Sequence, residues 1–241
     1  MTAAPDQSPA RNARATVAVA FCPSPPLLLP AVEGRAEAAT AELRRACAEA
    51  VERVLAHRPG VVVVVGEGAA PGARFGAGDR GRLGGYGVHL EIGFDGRARP
   101  DGRDLPLAHT LGAWLLDQAG FSGTRVGAGP GDLGQLVRDL PGPLGILAMG
   151  DGSARRTVKA PGYLDDAAAP FDAAVAAALA AGDAAALAAL DVVEGERLLA
   201  SGVPTWQAIG DVLTGREVAA CLHLDAAPFG VGYLVADWVA T

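Results

Sequence analysis

The sequence has few cysteines, few aromatic residues, no excess of positive charge and no long apolar run. Its three cysteines are odd in number and widely spaced, without a Cys-x-x-Cys or zinc-finger pattern, which favours free thiols in a reducing compartment over a disulfide framework. The formal net charge of −7 argues against a nucleic-acid or anionic-membrane surface, because both require a positive field. We therefore expect a cytoplasmic chain that binds no nucleic acid.

Secretion and membrane insertion are also unexpected. No stretch approaches the ~20 consecutive apolar residues that a bilayer-spanning helix needs. Residues 1–14 are polar and predict a disordered tail. The apolar run that follows is too short for a signal peptide and is interrupted by Pro23, Pro25 and Pro26.

Apolar residues, by contrast, are abundant enough for a large core. They make up 50% of the chain, and the 33 glycines permit close packing. The Ala, Gly, Arg and Val bias is also typical of a GC-rich, actinobacterial-type genome, so it carries no information on function. A chain of 241 residues with this composition predicts one domain over residues 15–241.

Strand and helix patterns alternate along the chain. The five valines Val61–Val65 indicate a central strand buried on both faces, and the helical pattern Glu33–His57 joins it to a strand at Ala15–Cys22. This order predicts that the two strands form a parallel pair. Residues 66–85 predict a long loop. Further strands are predicted at 87–94, 124–128, 144–149, 218–224 and 232–238, and further helices at 105–119, 132–139, 167–181, 183–190, 195–200 and 204–213. The expected fold is α/β, with a central mixed, mainly parallel sheet flanked by helices.

In such folds ligands bind at the carboxyl ends of the parallel strands. Ser24, Glu67 and Asp151 each follow a predicted core strand directly. We therefore expect these three residues to lie near one another.

Four segments, in this order, resemble a known superfamily. They are Pro23-Ser24-Pro25-Pro26-Leu27 after the first strand, Gly66-Glu67-Gly68 after the valine strand, Gly150-Asp151-Gly152-Ser153 at mid-chain, and Pro228-Phe229-Gly230-Val231-Gly232-Tyr233 near the end. Together they resemble the class III extradiol dioxygenase (LigB-like, Memo-like) superfamily over roughly residues 17–235. The resemblance implies a single α/β domain of that type, which in this superfamily often forms homodimers.

The same resemblance implies a degenerate metal site. Active members hold Fe(II) with two histidines and a glutamate, and a further histidine acts as acid and base. The first ligand position falls on Ser24, and the second falls on Glu67 or Gly68. The acid/base position falls on Ala154, and the glutamate position falls near Ala200. The expectation is that no iron is held and that no metal or other cofactor is used.

The four histidines of the chain offer no obvious replacement ligands. His57 ends a predicted helix, where it favours the helix dipole, and His109 is expected to be packed inside a helix. His89 and His223 lie in strand patterns with acidic residues two positions on, Glu91 and Asp225 respectively. An exposed polar strand face is the preferred interpretation for His89.

A second kind of site is conceivable around Gly150–Arg156. A Gly-Asp-Gly-Ser turn followed by two arginines can form a nest of backbone N–H groups that binds an anion or a nucleotide. Its candidate ligand-binding residues are Asp151, Ser153, Arg155 and Arg156, with Phe229 expected to line the same cleft.

Three functions remain open at the level of sequence. The preferred hypothesis is a superfamily member without iron ligands, non-catalytic or repurposed, that binds a small molecule or a partner protein. The first alternative is an active metal-dependent aromatic ring-cleaving dioxygenase with unconventional ligands, which would need Fe(II). The second is an anion- or nucleotide-binding protein that uses Gly150–Arg156.

Overall fold

The computed structural model describes residues 15–35 and 37–241, so the tail predicted over residues 1–14 lies outside the described residues. Nine strands are present in this part of the chain: β1 (Val17–Cys22), β2 (Val61–Val65), β3 (Arg74–Phe75), β4 (Arg80–Arg82), β5 (Glu91–Gly93), β6 (Thr124–Ala128), β7 (Leu144–Met149), β8 (Val218–Ala226) and β9 (Tyr233–Ala240). The described α-helices are α1 (Pro30–Glu33), α2 (Ala38–Ala56), α3 (Leu107–Gln118), α4 (Leu133–Asp139), α5 (Ala168–Ala181), α6 (Ala184–Ala188), α7 (Val192–Leu198) and α8 (Val203–Leu213). Short 3-10 turns lie at Pro26–Leu28, Gly84–Tyr86 and Pro130–Asp132.

Seven of these strands form one mixed sheet in the order β3-β6-β2-β7-β1-β9-β8. The four central strands, β6, β2, β7 and β1, run parallel, and the antiparallel strands lie outside them. The predicted α/β fold, with a mixed sheet flanked by helices, is confirmed.

One expected strand pairing is wrong. β1 and β2 are parallel, but they are not neighbours, because β7 pairs with both of them. Val17 and Val61 are therefore both in register with Leu144. The strand–helix–strand order of β1, α2 and β2 correctly predicted that β1 and β2 run in the same direction. It did not predict that β7, about 80 residues later in sequence, lies between them.

The core lies on both faces of the sheet. In β2, Val62 and Val64 pack toward α2 and α3, while Val63 and Val65 pack toward α4, α5 and α8. Alternate side chains of a strand point to opposite faces, so a sheet covered by helices on both sides needs apolar residues at every position. This requirement explains the uninterrupted valines.

The segment between β2 and α3 differs from its prediction. The expected loop at 66–85 contains β3 and β4, and the expected strand at 87–94 is reduced to β5. β4 and β5 pair with each other in a separate two-stranded sheet, in which Arg80 faces Gly93. The sequence did not predict this pair of strands, because β4 consists of arginine and glycine, which do not favour strands.

Over residues 15–35 and 37–241, no helix combines the length and the apolar character that crossing a membrane would require.

Candidate functional site

The carboxyl ends of β1, β2 and β7 meet at one edge of the sheet, and the residues that follow them lie together. The backbone N–H of Ser24 donates a 2.6 Å hydrogen bond to Asp151 Oδ1. Glu67 is close enough to Asp151 for its negative charge to raise the pKa of that carboxyl. The expected proximity of Ser24, Glu67 and Asp151 is thus present, because parallel strands of similar length end at the same edge.

A close backbone approach brings a second element to this edge. A Cβ on Gly150 would lie 2.4 Å from the Cα of Gly202, so only glycine allows the chain before α8 to lie here. Gly202 N–H donates to the Asp151 carbonyl at 2.8 Å, and Asp151 N–H donates to Ser201 Oγ at 3.1 Å. These bonds attach the residues between α7 and α8 to the end of β7.

A cavity of about 360 Å³ opens between the end of β2 and the α7–α8 region. Acidic and polar groups on its wall are Glu67, Glu196 and Ser201. Its apolar wall is formed by Val192, Leu199, Ala200, Val203 and Pro204, with Gly195 completing the lining. None of these described lining residues is basic. The cavity therefore combines an apolar wall with two carboxylates.

Two carboxyl groups at this edge of the sheet, those of Glu67 and Asp151, have raised pKa values. Partial loss of water around Glu67, and then the charge of Glu196, raise the pKa of Glu67. Burial raises the pKa of Asp151 to about 7, and the charge of Glu67 adds to this, whereas the Ser24 N–H acts in the opposite direction. Among the described residues, no Lys, Arg or His forms a salt bridge with Asp151.

Two further groups lie near Asp151. Burial, followed by the charge of Asp151, raises the pKa of Tyr233, a buried residue at the start of β9. Contact with the Cys22 thiol, burial and the charge of Asp151 raise the pKa of the Cys47 thiol. Cys22 and Cys47 are both free and buried, which fits the prediction of free thiols. The Cys47 thiol is therefore not poised as a nucleophile, since an activated thiol has a lowered pKa.

The other positions matched to the superfamily are distributed unevenly. Ala200 lines the cavity, while Gly68 lies against Pro106 and is not among the lining residues. Ala154 N–H donates to the Leu198 carbonyl at 3.1 Å, next to the cavity but not in its wall. Three of the five matched positions, Ser24, Glu67 and Ala200, therefore lie at this strand edge or in the adjoining cavity.

The candidate nest at Gly150–Arg156 is already filled by an internal anion. The side chain of Asp172, in α5, is fully buried and accepts from Ser153 N–H at 2.8 Å and from Arg156 at 2.9 Å. A Cβ on Gly232 would lie 2.3 Å from Asp172 Oδ2, so the carboxylate fits against the backbone that leads into β9. The nest geometry is present, and its ligand is a side chain of the protein.

The remaining predicted binding residues are engaged in the same internal network. Arg155 donates to the Gly162 carbonyl at 2.5 Å, and Ser153 Oγ donates to the Leu198 carbonyl at 3.0 Å. Phe229 is 37% exposed and contacts the ring of Tyr233 edge-on at a centroid distance of 6.5 Å. It does not line the cavity that contains Glu67. Ser153, Arg155 and Phe229 are therefore not lining residues of the cavity.

Sequence reasoning missed Glu196 and Ser201. The superfamily's glutamate was matched near Ala200, and Glu196 lies one helical turn earlier on α7, where its charge reaches Glu67. The spacing of four residues was the available signal, but the match had no fixed register, and α7 ends at Leu198 rather than continuing to residue 200 as predicted. Ser201 carried no signal, because its role depends on the close approach of Gly150 and Gly202.

The donor set at this edge does not suit iron. Ser24, Ala154 and Ala200 offer no strong Fe(II) ligand, and only carboxylates remain. Among the described residues, the groups of three or more His, Cys, Asp or Glu whose ligand atoms converge do not include Glu67, Asp151 or Glu196.

A scan against protein-family models gave no match for this chain, and a search of curated proteins gave none either.

Proposed function

We propose that this chain is an extradiol-dioxygenase-like protein without the iron chemistry, which binds a small organic cation in the cavity beside Glu67. The observation that carries the proposal is the convergence of the Glu67 and Glu196 carboxylates on a partly apolar cavity without a basic lining residue. Asp151 adds a third carboxyl group behind the wall.

A cation is the ligand that this arrangement favours electrostatically. Glu67 and Glu196 both line the cavity, and the charge of Glu196 makes ionisation of Glu67 less favourable. A bound amine placed between them would offset this repulsion and would favour the ionised form of Glu67. The salt bridges among the described residues involve neither Glu67 nor Glu196.

The shape of the cavity indicates a ligand with an apolar body. A volume of about 360 Å³ is at the lower end of the range of small-molecule sites. Val192, Leu199 and Val203 would contact an aliphatic or aromatic group, while Glu67 and Glu196 would bind the charged end. An aromatic or aliphatic amine fits both requirements.

The test compares benzylamine with benzyl alcohol, which has nearly the same shape but no charge. Calorimetric titration of the full chain should detect benzylamine binding that is at least about tenfold tighter than benzyl alcohol binding, the ratio that roughly 1.4 kcal/mol of charge attraction supplies. Glu67→Gln should remove this preference, and Glu42→Gln should not, because Glu42 lies on the exposed side of α2, away from the cavity. Equal binding of the two compounds, or none, would overturn the proposed cation site.

The pH dependence gives a second readout. Because the pKa of Asp151 is about 7, more of its negative charge is present at pH 8 than at pH 6. Benzylamine should therefore bind more tightly at pH 8, and Asp151→Asn should reduce that gain. Loading with Fe(II) provides the opposing test: stoichiometric iron together with protocatechuate-dependent O₂ consumption would contradict the loss of iron chemistry.

A further inference from the structure

A second cluster of chemically reactive side chains lies in another part of the sheet, at the β8–β9 pair. One ligand atom from each of Cys221, His223 and Asp237 lies within 4.8 Å of the others. Cys221 and Asp237 are directly opposite each other in the antiparallel ladder, and the register shifts at His223. A β-bulge of this kind re-aims a side chain, here the imidazole toward Asp237.

The imidazole is hydrogen-bonded to one carboxylate and has a second carboxylate near its other ring nitrogen. His223 Nε2 lies 2.6 Å from Asp237 Oδ1, and His223 Nδ1 lies 3.7 Å from Glu49 Oε2 on α2. The side chains of His223 and Asp237 are only 7% and 8% exposed. Metal-binding histidines characteristically have such a carboxylate on the ring nitrogen that faces away from the metal.

A His–Asp ion pair alone does not explain why Cys221 lies beside His223 and Asp237. A His–Asp pair requires no thiol, yet Cys221 is a free cysteine beside the pair. Arg53 Nε already lies 3.5 Å from Asp237 Oδ1, so Asp237 does not need His223 as its cation. A divalent ion that binds here would displace the Cys221 thiol proton to solvent, and the resulting thiolate together with the Asp237 carboxylate would balance the charge of the ion.

We propose that Cys221, His223 and Asp237 form a site for a divalent transition metal of the Zn²⁺ class. Thiolate, imidazole and carboxylate are the ligands of Zn²⁺, whereas Mg²⁺ and Ca²⁺ prefer sites built from oxygen alone. The metal would bind Nε2 of His223, and the Glu49 carboxylate, now 3.7 Å from Nδ1, would move closer to accept the Nδ1–H. With three protein ligands, the fourth tetrahedral position is open to water or to a ligand.

The distances require only a small adjustment. Zn²⁺ ligands at about 2.0–2.3 Å in a tetrahedron are roughly 3.3–3.8 Å apart. The present separations reach no more than 4.8 Å, and the His223–Asp237 contact of 2.6 Å must widen by about an ångström to admit the ion. β8 is an edge strand, so its side chains can move without disturbing the parallel centre of the sheet.

The experiment uses the full chain, reduced and stripped of metal, and titrates it with Co²⁺ and Zn²⁺. Co²⁺ should bind one ion per chain and should produce a thiolate-to-cobalt charge-transfer band together with the strong visible bands of tetrahedral cobalt. Zn²⁺ should displace it. Cys221→Ser should abolish the charge-transfer band, and His223→Gln should weaken Zn²⁺ binding by more than ~100-fold.

Two milder variants test the site without removing a ligand. Glu49→Gln should weaken Zn²⁺ binding by about 10–100-fold, because it loses the carboxylate that orients His223. His57→Gln, which changes an exposed histidine at the end of α2, should have no effect. Circular dichroism of each apo variant checks that it is folded.

The result that would overturn the proposal is absence of a charge-transfer band in wild-type protein, or a band that survives Cys221→Ser. Glu67→Gln, in the cation cavity, should leave Zn²⁺ binding unchanged. The metal site and the cation cavity can therefore fail independently of each other.

Discussion

Asp151, directly after β7, and Asp172, in α5, are two carboxylates that differ in whether a positive charge lies next to them. Burial raises the pKa of both. Asp172 is bound by Arg156 and by the Ser153 N–H. Within residues 15–35 and 37–241, the Asp151 side chain accepts from the Ser24 N–H alone, and it has the negative charge of Glu67 nearby. One buried charge is thus compensated by the protein and the other is not.

This difference separates a structural role from a binding role. A buried carboxylate with an arginine partner joins α5 to the loop after β7, and its loss leaves the partner groups without an acceptor. A carboxylate without a cation costs stability when it ionises, and a ligand can offset that cost. The arginines that suggested an anion site in the sequence therefore serve the fold.

The largest expected effect is at the compensated carboxylate. Asp172→Ala should lower the free energy of unfolding by about 3–5 kcal/mol, because Arg156 and the buried Ser153 N–H lose their acceptor. Urea denaturation measures this change. Asp166→Ala, an exposed position near the start of α5, serves as the control and should stay within about 0.5 kcal/mol of wild type. A loss below about 1 kcal/mol at Asp172 would remove the distinction between the two carboxylates.

At Asp151, the carboxylate without a cation partner, removing the charge should raise the free energy of unfolding rather than lower it. Because the pKa of Asp151 is raised to about 7 in the folded chain, the unfolded chain loses its proton first as the pH rises. Stability from this group is therefore highest below about pH 4, falls between about pH 4 and 7, and is constant above.

Asp151→Asn removes this penalty and retains an oxygen for the Ser24 N–H. The variant should be more stable than wild type by about 2–3 kcal/mol at pH 8 and equal to it near pH 4. Burial lowers the pKa of His109 to about 4, which makes both proteins lose stability as the pH falls below about 6.5. The difference between the two unfolding curves cancels that contribution. A variant less stable than wild type at pH 8 would contradict the assignment.

A smaller effect tests how tightly the Asp172 carboxylate is enclosed. Gly232→Ala would place a Cβ 2.3 Å from Asp172 Oδ2, and we expect a loss of about 1–3 kcal/mol. Gly131→Ala is the matched control, because no heavy atom would lie within 4 Å of its added Cβ. Thermal unfolding of the pair measures the contrast, and equal melting temperatures would show that the enclosure is loose.

The smallest stability effect is expected at the cavity mouth. Glu67 is exposed, so Glu67→Gln should change the free energy of unfolding by less than about 0.5 kcal/mol while removing the preference for benzylamine. Urea denaturation of the variant measures the first quantity and calorimetric titration the second. A large stability change at Glu67 would indicate a structural role and would weaken the proposed cation site.

Much of the sheet could be predicted, and the site only in part. The strands Val61–Val65, Thr124–Ala128 and Leu144–Met149 have the bounds that their apolar runs predict. The meeting of Ser24, Glu67 and Asp151 also followed from strand order, because parallel strands end at a common edge. The place of Glu196 could not be assigned, since it depends on how α7 packs against the end of β2, which local sequence does not specify.

Contacts between neighbouring strands were the features that the sequence predicted least well. The sequence placed Asp225 two residues after His223 in a strand pattern, but the acidic partner of His223 in the structure is Asp237 on the neighbouring strand. The spacing of Cys221 and His223 was a usable signal, because residues two apart on a strand share a face. The third residue of the cluster depends on the β8–β9 register, which local pattern does not contain.

The sequence by itself determined the α/β class, the buried valine strand and the edge at which polar residues gather, because these follow from hydrophobic periodicity and strand direction. The tertiary structure alone decided which charges are compensated. Asp172 is bound by Arg156, 16 residues away in sequence, and by Ser153, 19 residues away, while the Asp151 side chain accepts from the Ser24 N–H, 127 residues away, and from no other group in the described part of the chain. Compensation depends on distances between side chains remote in sequence, and these exist only once the sheet has assembled.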